Sequence, residues 1–404
     1  MICLIEKRVM ITRLGVYGGT FNPPHIGHVR AAATAAGELR LDVMMIVPSG
    51  VPPHKALPTG SPTPEERLEL TRLSFRGLPY AEISDLELKK EGVSYTVETL
   101  DAFLSRYPGA EVYLVMGTDM YLTLEMWKDA GRLLDFVTPA VLSREAGEDG
   151  IISEYSNKLL KKYKARTEIL HNDVVDISST ELRQRLPRRE GADMIEGPAY
   201  AYIIKKRLYG AKPGFDWLRT QAYEMMKPKR IPHVAGCEAE AVLLAERWGA
   251  DADEAREAAI LHDITKHLEM DDQLQLCRKY DIMTDIVEAG EVKLLHAKTG
   301  AAIARAAFGM SQTVHDAILW HTTGRADMTL LEKIIYIADY MEPTREFEGV
   351  DTLRSLAYED IDQAIIRGLR MSIEDMKTRG ITPHPRTEEA LDWLLCHDPQ
   401  GKGE

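Results

Sequence analysis

Up to Tyr209 the chain alternates short apolar runs with amphipathic stretches, and after Gly210-Ala211-Lys212-Pro213-Gly214 only the amphipathic stretches continue. The runs Leu14–Tyr17, Val43–Val47, Val112–Met116 and Ala140–Leu142 are short and apolar throughout. That is the pattern of parallel strands buried on both faces. Between them, Ile26–Leu39, Pro64–Phe75 and Val97–Tyr107 carry helical spacing, and Thr63-Pro64-Glu65-Glu66 is a good helix start with Thr63 as cap. Strand–helix alternation of this kind predicts a doubly wound α/β sheet. Past the break, Cys237–Trp248, Asp253–Leu261, Thr299–Phe308, Leu330–Tyr340 and Ile361–Met376 read as helices, with no β-branched strand run beside them. A chain of 404 residues exceeds what one hydrophobic core supports. The expected organisation is therefore an α/β domain over 11–210, a linker at 211–215 and an all-α domain over 216–396.

A formal net charge of −13 excludes broad nucleic-acid binding, which relies on Lys and Arg to displace counterions. Phosphate-bearing ligands must instead meet local positive features such as helix N-termini, a few cationic side chains or metal ions. No apolar run reaches the ~20 residues needed to span a bilayer, so no membrane partner is expected. The opening MICLIEKRVM has no apolar signal-peptide core and reads as an extension ahead of a start at Met10. Cys3, Cys237, Cys277 and Cys396 are scattered, with no CxxC pair. They fit a reducing cytoplasm and exclude a cysteine zinc site. The oligomeric state stays open, a homo-oligomer included.

The segment Gly18-Gly19-Thr20-Phe21-Asn22-Pro23-Pro24-His25-Ile26-Gly27-His28 joins the first expected strand to the first expected helix. Gly18 and Gly19 let backbone turn sharply and approach a phosphate. The helix beginning near His25 directs free N–H groups and a positive dipole end at that phosphate. His25 and His28, three residues apart, share one helix face and can donate hydrogen bonds as charge builds on phosphate oxygens. The string resembles the HxGH signature of the nucleotidyltransferases, and its flanks look like the nicotinate-mononucleotide adenylyltransferase family. Pro52-Pro53-His54-Lys55, Ser94-Tyr95-Thr96-Val97-Glu98-Thr99-Leu100, Gly117-Thr118-Asp119 with Trp127, and Ile177-Ser178-Ser179-Thr180-Glu181-Leu182-Arg183 resemble further motifs of that family, in order. One departure is Ser143-Arg144-Glu145-Ala146-Gly147, where the family has Arg-Pro-Gly.

The resemblance implies a Rossmann-like fold and transfer of AMP from ATP, with Mg, to nicotinate mononucleotide. It places ATP on Gly18, Gly19, Thr20, Phe21, His25, His28, Ser178, Ser179, Thr180 and Arg183, with His25 and His28 catalytic. The mononucleotide falls to Lys55, Thr96, Asp119 and Trp127, the indole stacking on the pyridine ring. Taken alone, Ser178 and Glu181 also read as a helix-capping pair, Trp127 as a core residue and Lys55 as a solvated loop cation. Another mononucleotide, pantetheine phosphate or a cytidylyl donor remains an alternative.

In the helical half, His233, His262-Asp263, His296, His321 and Asp339 occur in order. Imidazole and carboxylate without thiolate suit iron, manganese or magnesium over structural zinc. Four histidines and two aspartates suffice for two metals sharing the Asp263 carboxylate, an arrangement that activates water and clamps a phosphoryl group. The series resembles the HD-domain metal-dependent phosphohydrolases over roughly 215–395. The texture of Arg230-Ile-Pro-His233-Val-Ala-Gly236, Leu-His262-Asp263-Ile-Thr-Lys266, Leu295-His296-Ala297, His321-Thr322-Thr323-Gly324, Ile337-Ala338-Asp339-Tyr340-Met341-Glu342-Pro343 and His384-Pro385-Arg386-Thr387 is similar to the YqeK family. That likeness implies an HD-type helical fold, two divalent metals (iron or manganese) on the six residues, and symmetrical hydrolysis of diadenosine tetraphosphate, a dinucleoside polyphosphate, to two ADP. Lys266 would contact phosphate or assist the leaving group. Another nucleotide phosphohydrolase, or a nucleotide-sensing module without turnover, remains an alternative.

Overall fold

The computed structural model describes residues 11–51, 57–143, 147–171, 175, 177–285 and 291–397. Lys55, the Pro52–Lys55 motif and Arg144 lie outside them. The chain divides into two compact units, Met1–Lys212 and Pro213–Glu404.

The first unit is built on a six-stranded, wholly parallel sheet in the order β3-β2-β1-β4-β5-β6. Its strands are β1 (Arg13–Gly19), β2 (Val43–Pro48), β3 (Ala81–Ile83), β4 (Glu111–Gly117), β5 (Val137–Leu142) and β6 (Glu168–Leu170). The helices are α1 (Ile26–Leu39), α2 (Pro64–Phe75), α3 (Thr96–Arg106), α4 (Thr118–Tyr121), α5 (Ala130–Phe136), α6 (Asp149–Tyr163), α7 (Ser179–Arg185) and α8 (Gly197–Lys206). Alternation within each strand feeds two cores. On β2, Val43, Met45 and Val47 enter one cluster, while Met44 and Ile46 enter the other. Helices therefore cover both faces, as all-parallel sheets require. The strand order reverses between β1 and β4, and the crevice at their carboxyl ends is where open α/β sheets take ligands. The edge strands β3 and β6 have no counterpart in the sequence reading, because each is only three residues and neither forms an apolar run.

The second unit is helical throughout its described residues: α9 (Phe215–Glu224), α10 (Ile231–Trp248), α11 (Ala252–Leu261), α12 (Met270–Lys279) and α13 (Val292–Phe308). There follow α14 (Gln312–Trp320), α15 (Leu330–Met341), α16 (Val350–Glu359), α17 (Ile361–Thr378) and α18 (Pro385–His397). Helices α10, α11, α14 and α15 share one apolar core that includes Ala241, Ile260, Ile318 and Ile334. Capping is explicit where the chain must turn. Asp251, Ser311 and Thr329 each accept hydrogen bonds from the first turn of α11, α14 and α15.

Candidate active sites

In the first unit, one cavity of about 930 Å³ opens at the carboxyl ends of β1 and β4. Of the residues expected to bind nucleotide, Gly18, Gly19, Thr20, His25, His28, Thr96, Asp119, Trp127, Ser178, Ser179, Thr180 and Arg183 all line it. Phe21 does not. It lies beneath the loop, 1% exposed, its ring edge-on to His28 at 5.2 Å and to Phe75 at 5.6 Å. An apolar ring at this point gains more from burial than from meeting a polyphosphate. Its backbone takes φ +45°, so the residue turns the loop over its own side chain.

His25 caps α1, its carbonyl accepting from the His28 and Val29 amides. The His25 amide donates to His28 Nδ1 at 3.1 Å. With Nδ1 engaged as acceptor, neutral His28 carries its proton on Nε2, ready to donate to a phosphate oxygen. The two imidazole centroids stand 3.7 Å apart. Gly27 permits this packing, because a Cβ there would lie 3.0 Å from His25 Nδ1. Helix α7 is stitched to the same loop. Ser179 Oγ donates to the Pro23 carbonyl at 2.8 Å and Arg183 Nη1 to the Asn22 carbonyl at 2.7 Å. Two helix N-termini thus converge on one cavity, each presenting unsatisfied N–H groups. Ser178 caps α7 by accepting from the Glu181 amide, while the Glu181 carboxylate turns to Arg185, so only half of the expected reciprocal cap forms. Opposite, Trp127 is half-buried, and its Nε1 donates to Thr123 Oγ1 at 3.2 Å.

In the second unit, five helices deliver the histidines and aspartates to one buried centre. His233 lies on α10, His262 and Asp263 directly follow α11, and His296 lies on α13. His321 caps the end of α14, and Asp339 lies on α15. Asp263 divides the cluster. Its Oδ2 faces His262 Nε2 at 3.4 Å and His233 Nε2 at 3.8 Å, with Asp339 Oδ1 2.9 Å from His233 Nε2. Its Oδ1 faces His296 Nε2 at 3.1 Å and His321 Nε2 at 3.7 Å. Asp263, the carboxylate expected to be shared by two metals, thus turns one oxygen toward each pair of histidines.

The donor chemistry fits divalent cations. Three histidines tie Nδ1 to an acceptor: Glu342 Oε1 for His233, and the Ala259 and Ile318 carbonyls for His262 and His321. Each then offers an Nε2 lone pair inward. Burial would raise the Asp263 and Asp339 carboxyls, but the surrounding histidines outweigh it, and both sit well below the usual carboxylate range. Burial, helped by the Lys266 ammonium, pushes the His296 imidazole down to about 3 and keeps it neutral. Burial would lower the His262 imidazole, but the Asp263 carboxylate beside it pushes it up, so the buried carboxylates call for positive charge. Two side chains supply part of it: Arg230 at Asp263 Oδ2 and, at 2.8 Å, His233 Nε2, and Lys266 at 3.1 Å from His296 Nε2.

Comparison with known proteins matches the first region to the cytidylyltransferase-like family over residues 16–185 and the second to the HD domain over residues 230–344. The "probable nicotinate-nucleotide adenylyltransferase" of Gemmatimonas aurantiaca is 35% identical over 208 residues, half of this chain and 94% of that protein. The symmetrical bis(5'-nucleosyl)-tetraphosphatase of Bacillus subtilis is 35% identical over 173 residues, 43% of this chain and 92% of that protein. The chain belongs to both families, one in each half. An HD superfamily hydrolase from Clostridium acetobutylicum, described as involved in NAD metabolism, aligns with 46% of the chain at 34% identity and a TM-score of 0.45.

Around the adenylyltransferase-family cavity, the structure adds residues that the motifs did not single out. Arg67 is 1% exposed and donates to the Thr20 carbonyl at 3.2 Å and the Ser49 carbonyl at 2.7 Å, joining the loops after β1 and β2. Tyr209 donates to Asn22 Oδ1 at 2.8 Å. Glu87 lines the cavity, and burial pushes its carboxyl up despite a hydrogen bond from Thr99. In the HD domain the additions are Arg230 and Glu342. Gly236 makes room for the latter, since a Cβ there would overlap Glu342 Oε2. Arg230 and Glu342 stood inside quoted motifs without a role; only their distances to His233 assign one. Among the described residues, no helix is long and apolar enough to cross a membrane.

Proposed function

We propose that the first domain transfers the adenylyl group of MgATP to nicotinate mononucleotide, giving deamido-NAD and pyrophosphate, and that the HD domain hydrolyses diadenosine tetraphosphate symmetrically to two ADP. The convergence of His28, the α1 and α7 N-termini and Trp127 on one cavity carries the first half of this reading, together with the relatives' named activity. A 5'-phosphate oxygen attacks the α-phosphorus in line, and pyrophosphate leaves. No covalent enzyme intermediate is needed, so positioning and charge stabilisation supply the catalysis. His28 Nε2–H and the Arg183 guanidinium meet the oxygens on which charge builds, and Trp127 offers its face to the acceptor ring. Ser178, Ser179 and Thr180 serve the polyphosphate at the α7 N-terminus.

The division of the Asp263 oxygens between two histidine sets carries the second half. Two divalent cations, iron or manganese, held by His233, His262, Asp263, His296, His321 and Asp339 supply water activation and neutralisation of phosphoryl oxygens. Arg230 stands on the Oδ2 side and Lys266 on the Oδ1 side, so a polyphosphate meets a protein cation on each flank.

Two assays test the reading. The intact chain is incubated with ATP and, separately, nicotinate mononucleotide, nicotinamide mononucleotide or phosphopantetheine. Pyrophosphate release with nicotinate mononucleotide is expected, and release only with phosphopantetheine refutes the assignment. Metal analysis with a screen of dinucleoside polyphosphates tests the HD domain; a metal-free, inactive domain favours a nucleotide sensor instead.

A further inference from the structure

We propose that the adenylyltransferase-family cavity also accepts a second ATP in place of the mononucleotide, forming diadenosine tetraphosphate, and that the HD domain removes this product. This rests on the function proposed above and links its two halves by a reaction neither half requires.

The chemistry differs only in the acceptor. In the proposed reaction a phosphate-monoester oxygen attacks the α-phosphorus of ATP. In the additional one, the terminal phosphate oxygen of another ATP makes that attack. The same P–O bond type forms, the same α–β bond breaks, and pyrophosphate leaves in both. The terminal phosphate is already ionised at neutral pH, so no general base is required. Two ATP give diadenosine tetraphosphate and pyrophosphate; one water then gives two ADP. The sum is two ATP and water to two ADP and pyrophosphate, with all six phosphates accounted for.

The acceptor side of the cavity discriminates weakly against adenine. Trp127 has its only donor, Nε1–H, engaged by Thr123 Oγ1 at 3.2 Å, so it presents a flat face and reads no ring edge. Stacking of this kind tolerates any aromatic base. At about 930 Å³ the cavity lies at the top of the roughly 300–1,000 Å³ usual for ligand pockets. ATP as acceptor brings two phosphates more than a monoester, and cations in the cavity are placed to meet them. Arg30, exposed on α1 two residues beyond His28, lines the cavity and forms no ion pair among the described residues. Lys128 lies beside Trp127, its Nζ 4.2 Å from the Tyr95 ring centroid and 2.9 Å from Glu98 Oε1.

The test uses the full chain carrying Asp263→Asn, which removes the carboxylate shared by both histidine sets, and in parallel His296→Gln. Each is incubated with MgATP alone, and diadenosine tetraphosphate is quantified by liquid chromatography and mass spectrometry. Accumulation is expected, falling about a hundredfold when His28→Ala is added. Wild type should instead yield ADP and pyrophosphate in a two-to-one ratio. Controls in the same preparations are pyrophosphate release with nicotinate mononucleotide and wild-type hydrolysis of added diadenosine tetraphosphate. If both controls succeed and no diadenosine tetraphosphate forms from ATP, the inference is overturned and the function above stands. Formation that survives His28→Ala also overturns it, because another site is then responsible. Failure of either control refutes the underlying reading, and this inference falls with it.

Discussion

Replacing Glu342 by alanine should loosen metal binding in the HD domain without touching any metal-facing atom. Glu342 is fully buried and accepts from His233 Nδ1 at 2.9 Å, from the Thr344 amide at 2.7 Å and from Thr344 Oγ1 at 2.5 Å. The alanine leaves the His233 Nδ1–H without an acceptor in a buried site, at a cost of roughly 1–3 kcal/mol. It also frees the imidazole to rotate or change tautomer, so that Nε2 no longer faces the centre. Loss of such an outer partner lowers metal affinity by about 10–100-fold. Glu342→Gln keeps a carbonyl oxygen for His233 and should recover most of the loss. Calorimetric titration of the metal-stripped full chain with Mn²⁺ measures the affinity, and circular dichroism checks the fold. Gly236→Ala should reproduce the effect, because its Cβ would displace the Glu342 carboxylate. Wild-type affinity in a folded Glu342→Ala variant would falsify the claim that this carboxylate orients His233.

Three further outcomes follow from the first domain. His28→Ala should lower adenylyl transfer by about 10²–10³-fold with the fold intact, measured by pyrophosphate release; near-normal turnover removes His28 from the chemistry. Gly27→Ala sets a Cβ 3.0–3.1 Å from the His25 ring and should cut kcat while sparing the thermal midpoint; unchanged kcat would show that the His25–His28 stack is dispensable. Asp42 accepts from the Thr12 amide at 2.7 Å, Thr12 Oγ1 at 2.8 Å and the Arg13 amide at 2.9 Å, which holds its carboxyl below the ordinary value. The sign follows: the depressed carboxyl stabilises the fold above the ordinary carboxylate range and loses that contribution as pH falls through the shifted value. Asp42→Asn should therefore lower the urea midpoint at neutral pH and make little difference in strong acid; a pH-independent difference refutes the assignment.

The parts of this molecule that could be read from the sequence are those encoded locally. Helix α1 and helix α2 occupy the expected spans, and Thr63 caps α2 as Thr63-Pro64-Glu65-Glu66 indicates. The HD-domain donors could be ordered along the chain because histidine and aspartate without cysteine narrow the chemistry before any geometry is known. What the sequence withheld depends on distant partners. Glu342 reaches His233 across 109 positions, and Tyr209 reaches Asn22 across 187. Phe21 illustrates the opposite difficulty. It stands in the middle of a phosphate-loop motif, yet Phe75 and Tyr17 draw its ring into the core beneath the loop. The short edge strands β3 and β6 exist because a neighbouring strand offers them hydrogen bonds, which no three-residue pattern can announce.

Asp263 was described as dividing the buried cluster, one oxygen to each histidine set. The same carboxylate also links two halves that differ in what each keeps when a residue is lost. A chain that loses His296 or His321 still keeps His233, His262 and Asp339 around one Asp263 oxygen, a group that could hold one metal ion. A chain that loses Asp263 loses the link between the two sides, although His233, His262 and Asp339 still stand together. Decay of this centre by single substitutions therefore has a preferred order, with the Oδ1 side able to fade while the Oδ2 side persists. Asp263 itself is the position at which the connection between the two sides is lost.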